Sequence, residues 1–222
     1  MRTGSLAIDP VVPEQVHPAG QFRSPKRLDG WGNALGRMVA CLLVPLVVVI
    51  AVLFVPFILL SSNESPIWKQ RRAGFRGQDL WVPKFSTMNV NSFGEVYETW
   101  FGRIIRPFGL DEILQILLIA KGDMQWFGPR PFLRNHLDEQ YVKSVLPYTK
   151  PGFFNSRSVA TGIGNRALEQ GGITISEMIQ YDRQDLENWS VRYATCLFLK
   201  TILMMLRIKR VSRRASRRRS LG

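Results

Sequence analysis

Apolar and polar positions along the chain fall into one long apolar block, a group of short apolar-aromatic runs, and stretches of helical periodicity. From Val39 to Leu60 no charged residue interrupts the sequence. That run is roughly 22 residues, against the ~20 a helix needs to cross a hydrocarbon core about 30 Å thick. It begins well inside the chain and no small-residue cleavage site follows, so it reads as a retained membrane segment. Two prolines, Pro45 and Pro56, lie inside it, and each removes a backbone donor. Basic residues flank both ends: Arg23, Lys26, Arg27 and Arg37 before it, and Lys69, Arg71, Arg72 and Arg76 after it. The positive-inside bias therefore draws both ends to the cytoplasm. A segment that enters, breaks near Pro45 and returns satisfies both features. A kinked single crossing is the alternative, since prolines occur in membrane helices.

Beyond the block, IWKQRRAG and QDLWVPKF flank Phe75-Arg76-Gly77 and read as a β-hairpin, with Pro83 confining the second strand to an edge. Leu110 to Ala120 predicts a helix, with Asp111 and Glu112 in its first turn and Lys121-Gly122 closing it. WFGPRP, Trp126 to Pro131, predicts an ordered loop without helix or sheet. His136 to Leu146 predicts a helix, and the glycine-rich Pro151 to Gly172 a long loop. Ile175 to Leu186 predicts a helix with Ser176 near its start. Asn188 to Ile208 predicts a last helix, suited either to the membrane interface or to the protein's own core. No internal repeat is present. The organisation expected is a flexible, basic segment over 1–38, a membrane helix over 39–60, a catalytic domain over 61–208 and a disordered basic tail over 209–222.

Charge narrows the partners. The formal net charge is +13, which favours anionic ones: acidic lipid, phosphorylated substrate or nucleic acid. The Arg/Ser tail predicts attraction to anionic lipid, at about 1 kcal/mol per basic residue near the surface, or simple solvation. No recognition helix or base-stacking platform accompanies it, so nucleic acid is not an expected partner. The two cysteines, Cys41 and Cys196, are far apart in sequence and form no readable disulfide framework.

The candidate chemistry centres on Asp111-Glu112. Carboxylates in a first helical turn face the positive end of the macrodipole, and acidic residues there are also ordinary helix stabilisers. An ionised pair can bind a hard cation or attack phosphorus. Arg103 and Arg106 stand just upstream, and Arg130 is fixed between Pro129 and Pro131. A guanidinium held in that way loses little entropy when it grips a diphosphate. Carboxylates, rigid arginines and a membrane segment together suit phosphoryl transfer at a bilayer, although surface charge beside anionic lipid would also place arginines here.

An ordered series of motifs then resembles the bacterial sugar transferases, the monotopic phosphoglycosyl transferases. It comprises the apolar run with Pro45; Ser65-Pro66; Gln70-Arg71 through Gly74; Lys84-Phe85 with Thr87-Met88; and Phe101-Gly102-Arg103. It continues with Arg106; Leu110-Asp111-Glu112; Gln115; Lys121-Gly122-Asp123-Met124; Gly128-Pro129-Arg130-Pro131; Pro151-Gly152; and Glu187-Asn188-Trp189-Ser190. Three positions depart from the family's usual residues: Ser86 stands for Arg, Ile113 for Pro, and Val44 for Ser. The stretch after Gly152 also departs from the usual loop.

The resemblance implies an α+β, membrane-associated fold. An N-terminal re-entrant membrane helix-hairpin, broken at Pro45, would precede a mainly helical cytosolic catalytic domain with a small β-hairpin and interfacial amphipathic helices. It implies a monotopic protein on the cytoplasmic face of the bacterial inner membrane. The implied activity moves a sugar 1-phosphate from a UDP-sugar to undecaprenyl or another polyprenyl phosphate. UMP leaves, and the step primes a surface glycan or exopolysaccharide for downstream glycosyltransferases. Asp111 would be the nucleophile. Glu112 would help hold Mg²⁺ with Asp111 or handle a proton, and Arg106, Arg130, Arg103 and Lys84 would bind substrate phosphates. Pro129 and Pro131 would shape the site. A catalytically weak or inactive membrane scaffold of the same fold is the alternative.

Overall fold

A computed structural model of the chain describes residues 31–133, 145, 147, 149–161 and 174–204. The N-terminal segment with Arg23, Lys26 and Arg27, nearly all of the helix expected over His136 to Leu146, the glycine-rich stretch 162–172 and the basic tail lie outside the described residues.

The apolar block lies within one helix, α1 (Trp31–Ser61), with Pro45 and Pro56 both inside it. Its residues 33–61 are long and apolar enough to cross a membrane. One narrow stripe faces the rest of the chain: Ala40, Val47 and Ile58 are buried, with Leu43, Ala51 and Phe54 partly so. These positions recur every three or four residues, the spacing of a single helical face. Full burial of side chains such as Val47 and Ile58 contributes about 1.5–3 kcal/mol each. That packing lies on both sides of Pro45, so loss of one backbone donor there does not end the helix. Outside the stripe α1 is apolar and exposed, as at Leu42, Leu46, Val49 and Leu53. The same domain also holds both ends. Near the start, Trp126 Nε1 donates to the Gly36 carbonyl at 2.8 Å. At the end, Asn89 Nδ2 donates to the Ser61 carbonyl at 3.3 Å, and Ser62 Oγ donates to Asn89 Oδ1 at 2.5 Å.

The predicted hairpin forms from β1 (Ile67–Ala73) and β2 (Asp79–Phe85), paired antiparallel from Ile67–Phe85 to Ala73–Asp79. A 3-10 turn over Phe75–Gly77 joins them, with Arg76 at φ 54° and Gly77 at φ 75°. The sheet order is β2-β1-β6, where β6 is Phe132–Leu133, so Pro83 lies on an edge strand as predicted. A second small hairpin pairs β3 (Met88–Val90) with β4 (Val96–Glu98). Ser86 Oγ, at one of the departures from the family pattern, donates to the Ser65 carbonyl and ties the end of β2 to the loop leaving α1.

Next come α2 (Trp100–Ile105), capped by the Thr99 side chain, and a 3-10 turn over Arg106–Phe108. The helix predicted over 110–120 exists but changes form. Leu110–Gln115 is 3-10, and only α3 (Ile116–Lys121) is α-helical, ending at Gly122. Gly109, at φ 64°, makes the sharp entry. The tighter winding suits a turn pinned at both ends by packing, with Leu114 and Ile119 in the core beside Phe85 and Phe101.

Two predicted loops contain strand. β5 (Gln125–Phe127) pairs in parallel with β7 (Gly152–Phe154), so WFGPRP is a loop only from Gly128 to Pro131. A proline restricts itself and the residue before it, which leaves Trp126 and Phe127 free to pair. Likewise the start of the expected 151–172 loop is β7 followed by α4 (Ser156–Thr161). At Gly152 an added Cβ would lie 2.1 Å from the Gly128 nitrogen, so this crossing admits only glycine. α5 (Ile175–Glu187) matches the predicted helix, with Ser176 in its first turn, and begins with Thr174 and Glu177 bonding reciprocally as a capping box. α6, residues 191–204, buries Ala194, Leu197 and Thr201 and exposes Val191, Leu199, Ile202 and Leu203. The result is a mixed helix-and-strand fold, richer in short strands than the mainly helical domain expected.

Candidate active site

The acid pair enters the site from the 3-10 turn after Gly109, facing the inner end of β2. Glu112 Oε1 accepts from Lys84 Nζ at 2.7 Å and from Arg130 Nη2 at 2.6 Å. All three side chains are mostly buried, with Glu112 12 % and Arg130 10 % exposed. Burial alone would raise the Glu112 carboxyl, but Arg130 and Lys84 outweigh it and hold it well below its ordinary range. Lys84 in turn is lowered, chiefly by its own burial.

Asp111 differs from its neighbour. It is 9 % exposed, and no ion pair reaches it among the described residues. Burial, then the charge of Glu112, pushes its carboxyl up to about 6, and Lys84 and Arg106 only partly offset this. One carboxylate is thus neutralised by fixed cations while its neighbour is left basic and unpaired. Such divergence makes Asp111 the candidate for the reactive member of the pair.

The remaining sequence-predicted residues divide into those at this cluster and those outside it. Arg106 Nε pairs with Glu98 at 3.1 Å, and Nη1 reaches toward Thr87 Oγ1. Its charge is felt at Asp111. Arg103 is exposed on α2 and has no ion pair among the described residues. Pro45 is exposed at the middle of α1. Pro129 and Pro131 flank Arg130 as expected, and every carbonyl of this tripeptide is bonded. The Gly152 amide donates to Pro129 at 2.8 Å, Arg157 Nη2 to Arg130 at 3.0 Å, and Arg72 Nη1 to Pro131 at 2.6 Å.

Arg72 and Arg157 were not singled out by sequence reasoning. Arg72 is 3 % exposed, and its fork is shared with Gln70 Oε1 at 2.6 and 3.0 Å. Burial and the nearby Arg130 lower it to about 10. Arg157 pairs with fully buried Asp182 at 3.3 Å. Gln70 and Arg72 sit at alternate strand positions on the same side of β1, and that period is the signal that marks Arg72 as inward-facing. Arg157 and Asp182 carry no such local signal, since their meeting depends on α4 lying against α5. Arg130, Lys84 and Arg72 act on Glu112, so with Asp111 beside it the cluster holds three cations against two carboxylates, a balance suited to an anionic ligand.

The donor set also fits a hard cation. Both cations on Glu112 use Oε1, and Asp111 is a buried carboxylate that a divalent ion would favour in its charged form. No group of three or more His, Cys, Asp or Glu forms a cage among the described residues. One or two carboxylates completed by substrate phosphates is the way Mg²⁺ is usually held.

Fold and site thus define a membrane-helix-bearing α+β domain with a buried, cation-ringed carboxylate pair. The family model described as bacterial sugar transferase matches residues 31–208, and the chain belongs to that family. It is 30 % identical over 174 residues to the UDP-glucose:undecaprenyl-phosphate glucose-1-phosphate transferase of Caulobacter vibrioides, covering 69 % of this chain and 64 % of that one. It is 27 % identical over 168 residues to the exopolysaccharide production protein ExoY of Rhizobium meliloti, covering 64 % and 70 % respectively. Identity to the UDP-N-acetylgalactosamine-undecaprenyl-phosphate N-acetylgalactosaminephosphotransferase of Aeromonas hydrophila is 30 % over 183 residues, 72 % of this chain and 42 % of that one. The chain therefore spans less than two thirds of the Caulobacter and Aeromonas relatives.

Proposed function

We propose that the chain is a phosphotransferase that moves a sugar 1-phosphate from a UDP-sugar to undecaprenyl phosphate. The observation that carries this reading is the division within the acid pair: Glu112 is clamped by Lys84 and Arg130, and Asp111 stands buried, unpaired and basic. An Asp111 oxygen attacks the phosphorus next to the sugar. The bond from that phosphorus to the bridging oxygen breaks, and UMP leaves with that oxygen. An oxygen of undecaprenyl phosphate then attacks the same phosphorus and frees Asp111, giving a diphosphate-linked sugar lipid. Covalent catalysis divides a transfer between two anions into two steps at one centre.

Arg106 and the tethered Arg130 orient phosphate oxygens. Arg130 donates from a Pro-Arg-Pro tripeptide whose three carbonyls are held, so it loses little freedom on binding. Asp111 and Glu112 are the residues that would hold Mg²⁺, which when bound would screen the repulsion between carboxylate and phosphate. Arg103, exposed on α2, meets phosphate or lipid head groups only as the substrate arrives. The names of the Caulobacter and Aeromonas relatives support the reaction class and differ in their sugar. ExoY supports a role in exopolysaccharide production.

The reading includes a monotopic position on the cytoplasmic face of the inner membrane, with α1 dipping into the bilayer and both of its ends on the cytoplasmic side. Support comes from the attachment of both ends of α1 to one polar domain, at Gly36 and at Ser61. A helix crossing to the far side would carry one of those contacts with it. Thiols introduced by Gly30→Cys and Asn63→Cys, with Cys41 and Cys196 replaced, are expected to react with an impermeant reagent from the cytoplasmic side alone. Labelling from opposite faces overturns the re-entrant path.

The reaction is tested by incubating the purified protein with a panel of UDP-sugars and undecaprenyl phosphate. UMP release is expected with at least one sugar. Omitting the acceptor should leave a phosphosugar adduct on the peptide containing Asp111, read by mass spectrometry. UMP formed only when both substrates are present, with no adduct, would replace the two-step path by direct transfer.

A further inference from the structure

We propose that the β3–β4 hairpin and the outer side of α2 form a second membrane-inserting element, placed in the same leaflet as the Ser61 end of α1. It rests on the membrane seating of α1 and not on the phosphotransferase reaction. The hairpin is short, and its tip carries Phe93, 88 % exposed. Val90 and Val96 are cross-strand partners, 58 % and 62 % exposed. They therefore form one side of the hairpin, with Phe93 at its tip. The opposite side carries Asn89 and Tyr97, and Asn89 is bonded to Ser61 and Ser62. On α2, Phe101 and Ile105 are buried while Trp100 and Ile104 are exposed, 49 % and 55 %.

The occupant follows from what this patch adjoins. Leu59 and Leu60 are the last exposed apolar residues of α1, and Ser61-Ser62-Asn63-Glu64 is the polar exit from the membrane. The bonds from Asn89 fix the hairpin at that level. Phe57, one turn deeper in α1, stacks on Phe101 at 5.4 Å, which puts the neighbouring Trp100 at the same depth. Tyr97 and Trp100 are thus amphipathic rings at the boundary, where such rings concentrate. An apolar patch continuous with a lipid-facing helix is covered at least cost by the same lipid. Because α2 runs directly into Arg106 and Asp111, this second anchor sets the height of the acid pair above the head groups.

The test is the depth of a nitroxide introduced by Phe93→Cys into the full chain, with Cys41 and Cys196 replaced by Ser. The protein is reconstituted into vesicles of phosphatidylethanolamine and phosphatidylglycerol. Collisions with oxygen and with a water-soluble nickel chelate are then compared. The oxygen-to-chelate ratio is expected to be several-fold higher than for a label at Gln78→Cys, in the exposed β1–β2 turn. Equal ratios at the two positions overturn the proposal. Shielding from both reagents, with spin–spin broadening, also overturns it by assigning the patch to a second copy of the chain. Val96→Cys provides the same reading should Phe93→Cys fail to fold, and neither position belongs to the catalytic machinery.

Discussion

Replacing Asp111 with Asn should abolish UMP release, by about 10³-fold or more, and should make the folded protein more stable. Asparagine keeps the shape of the side chain but offers no anionic oxygen to phosphorus. The stability gain follows from the burial that raises the carboxyl. A carboxyl raised from 3.8 to about 6 binds its proton more tightly in the folded state than in the unfolded one. Stability is therefore lost as pH rises from the unfolded value through the folded one, and the full cost, roughly 3 kcal/mol, applies above both. In metal-free detergent buffer at pH 8 the variant should melt above the parent, and the difference should vanish below about pH 4. Normal UMP release by the variant would sink the mechanism and leave a membrane scaffold of this fold.

Glu112→Gln should do the reverse to stability. Lys84 and Arg130 share Glu112 in a buried place, and Arg72 adds a third positive charge nearby. Removing one partner from a buried ion pair costs about 3–5 kcal/mol, because the remaining charges are left without compensation. The expected result is a large fall in melting temperature at neutral pH, with activity reduced even where the variant remains folded. The folded-state pKa of Glu112 lies below its unfolded value. Its contribution is therefore present above the unfolded pKa and is lost as pH falls through the folded one. The parent should accordingly approach the variant's stability in strong acid. Adding Lys84→Met to Glu112→Gln should restore part of the stability without restoring activity, since an unpaired cation is removed and the Arg130 clamp is not rebuilt. A double variant no more stable than Glu112→Gln alone would argue that the loss arises elsewhere.

These two outcomes separate neighbouring residues whose roles the sequence left merged. An Asp-Glu pair in a first turn reads as two similar carboxylates, and the resemblance gave both of them metal and site roles. Their environments differ because β2 brings Lys84, and the loop after β5 brings Arg130, into ion pairs with Glu112, while Asp111 feels Lys84 only as a nearby charge. Neither approach is encoded near position 111. Arg72 and Arg157 are further cases, since each acts on the Pro-Arg-Pro loop through a backbone carbonyl and from a distant element.

What the linear chain determined is whatever depends on local composition and period. The apolar run sufficed for α1, alternating residues about a three-residue turn sufficed for the β1–β2 hairpin, and Lys121-Gly122 marked the end of α3. Pro83 on an edge strand followed from its missing donor. The order of the motifs, from Pro45 through Asp111 to the Pro-Arg-Pro loop, carried the family. Tertiary structure decided the rest, because it depends on which distant groups meet. Packing made the turn at Asp111 3-10, and the Gly128–Gly152 crossing drew Trp126-Phe127 and Phe153-Phe154 into strand where prolines and glycines had suggested loop. Above all, burial and the positions of three cations made one carboxylate a fixed counterion and left the other basic. Desolvation and Coulomb energies are set by three-dimensional distance, and the spacing of residues along a chain does not contain it.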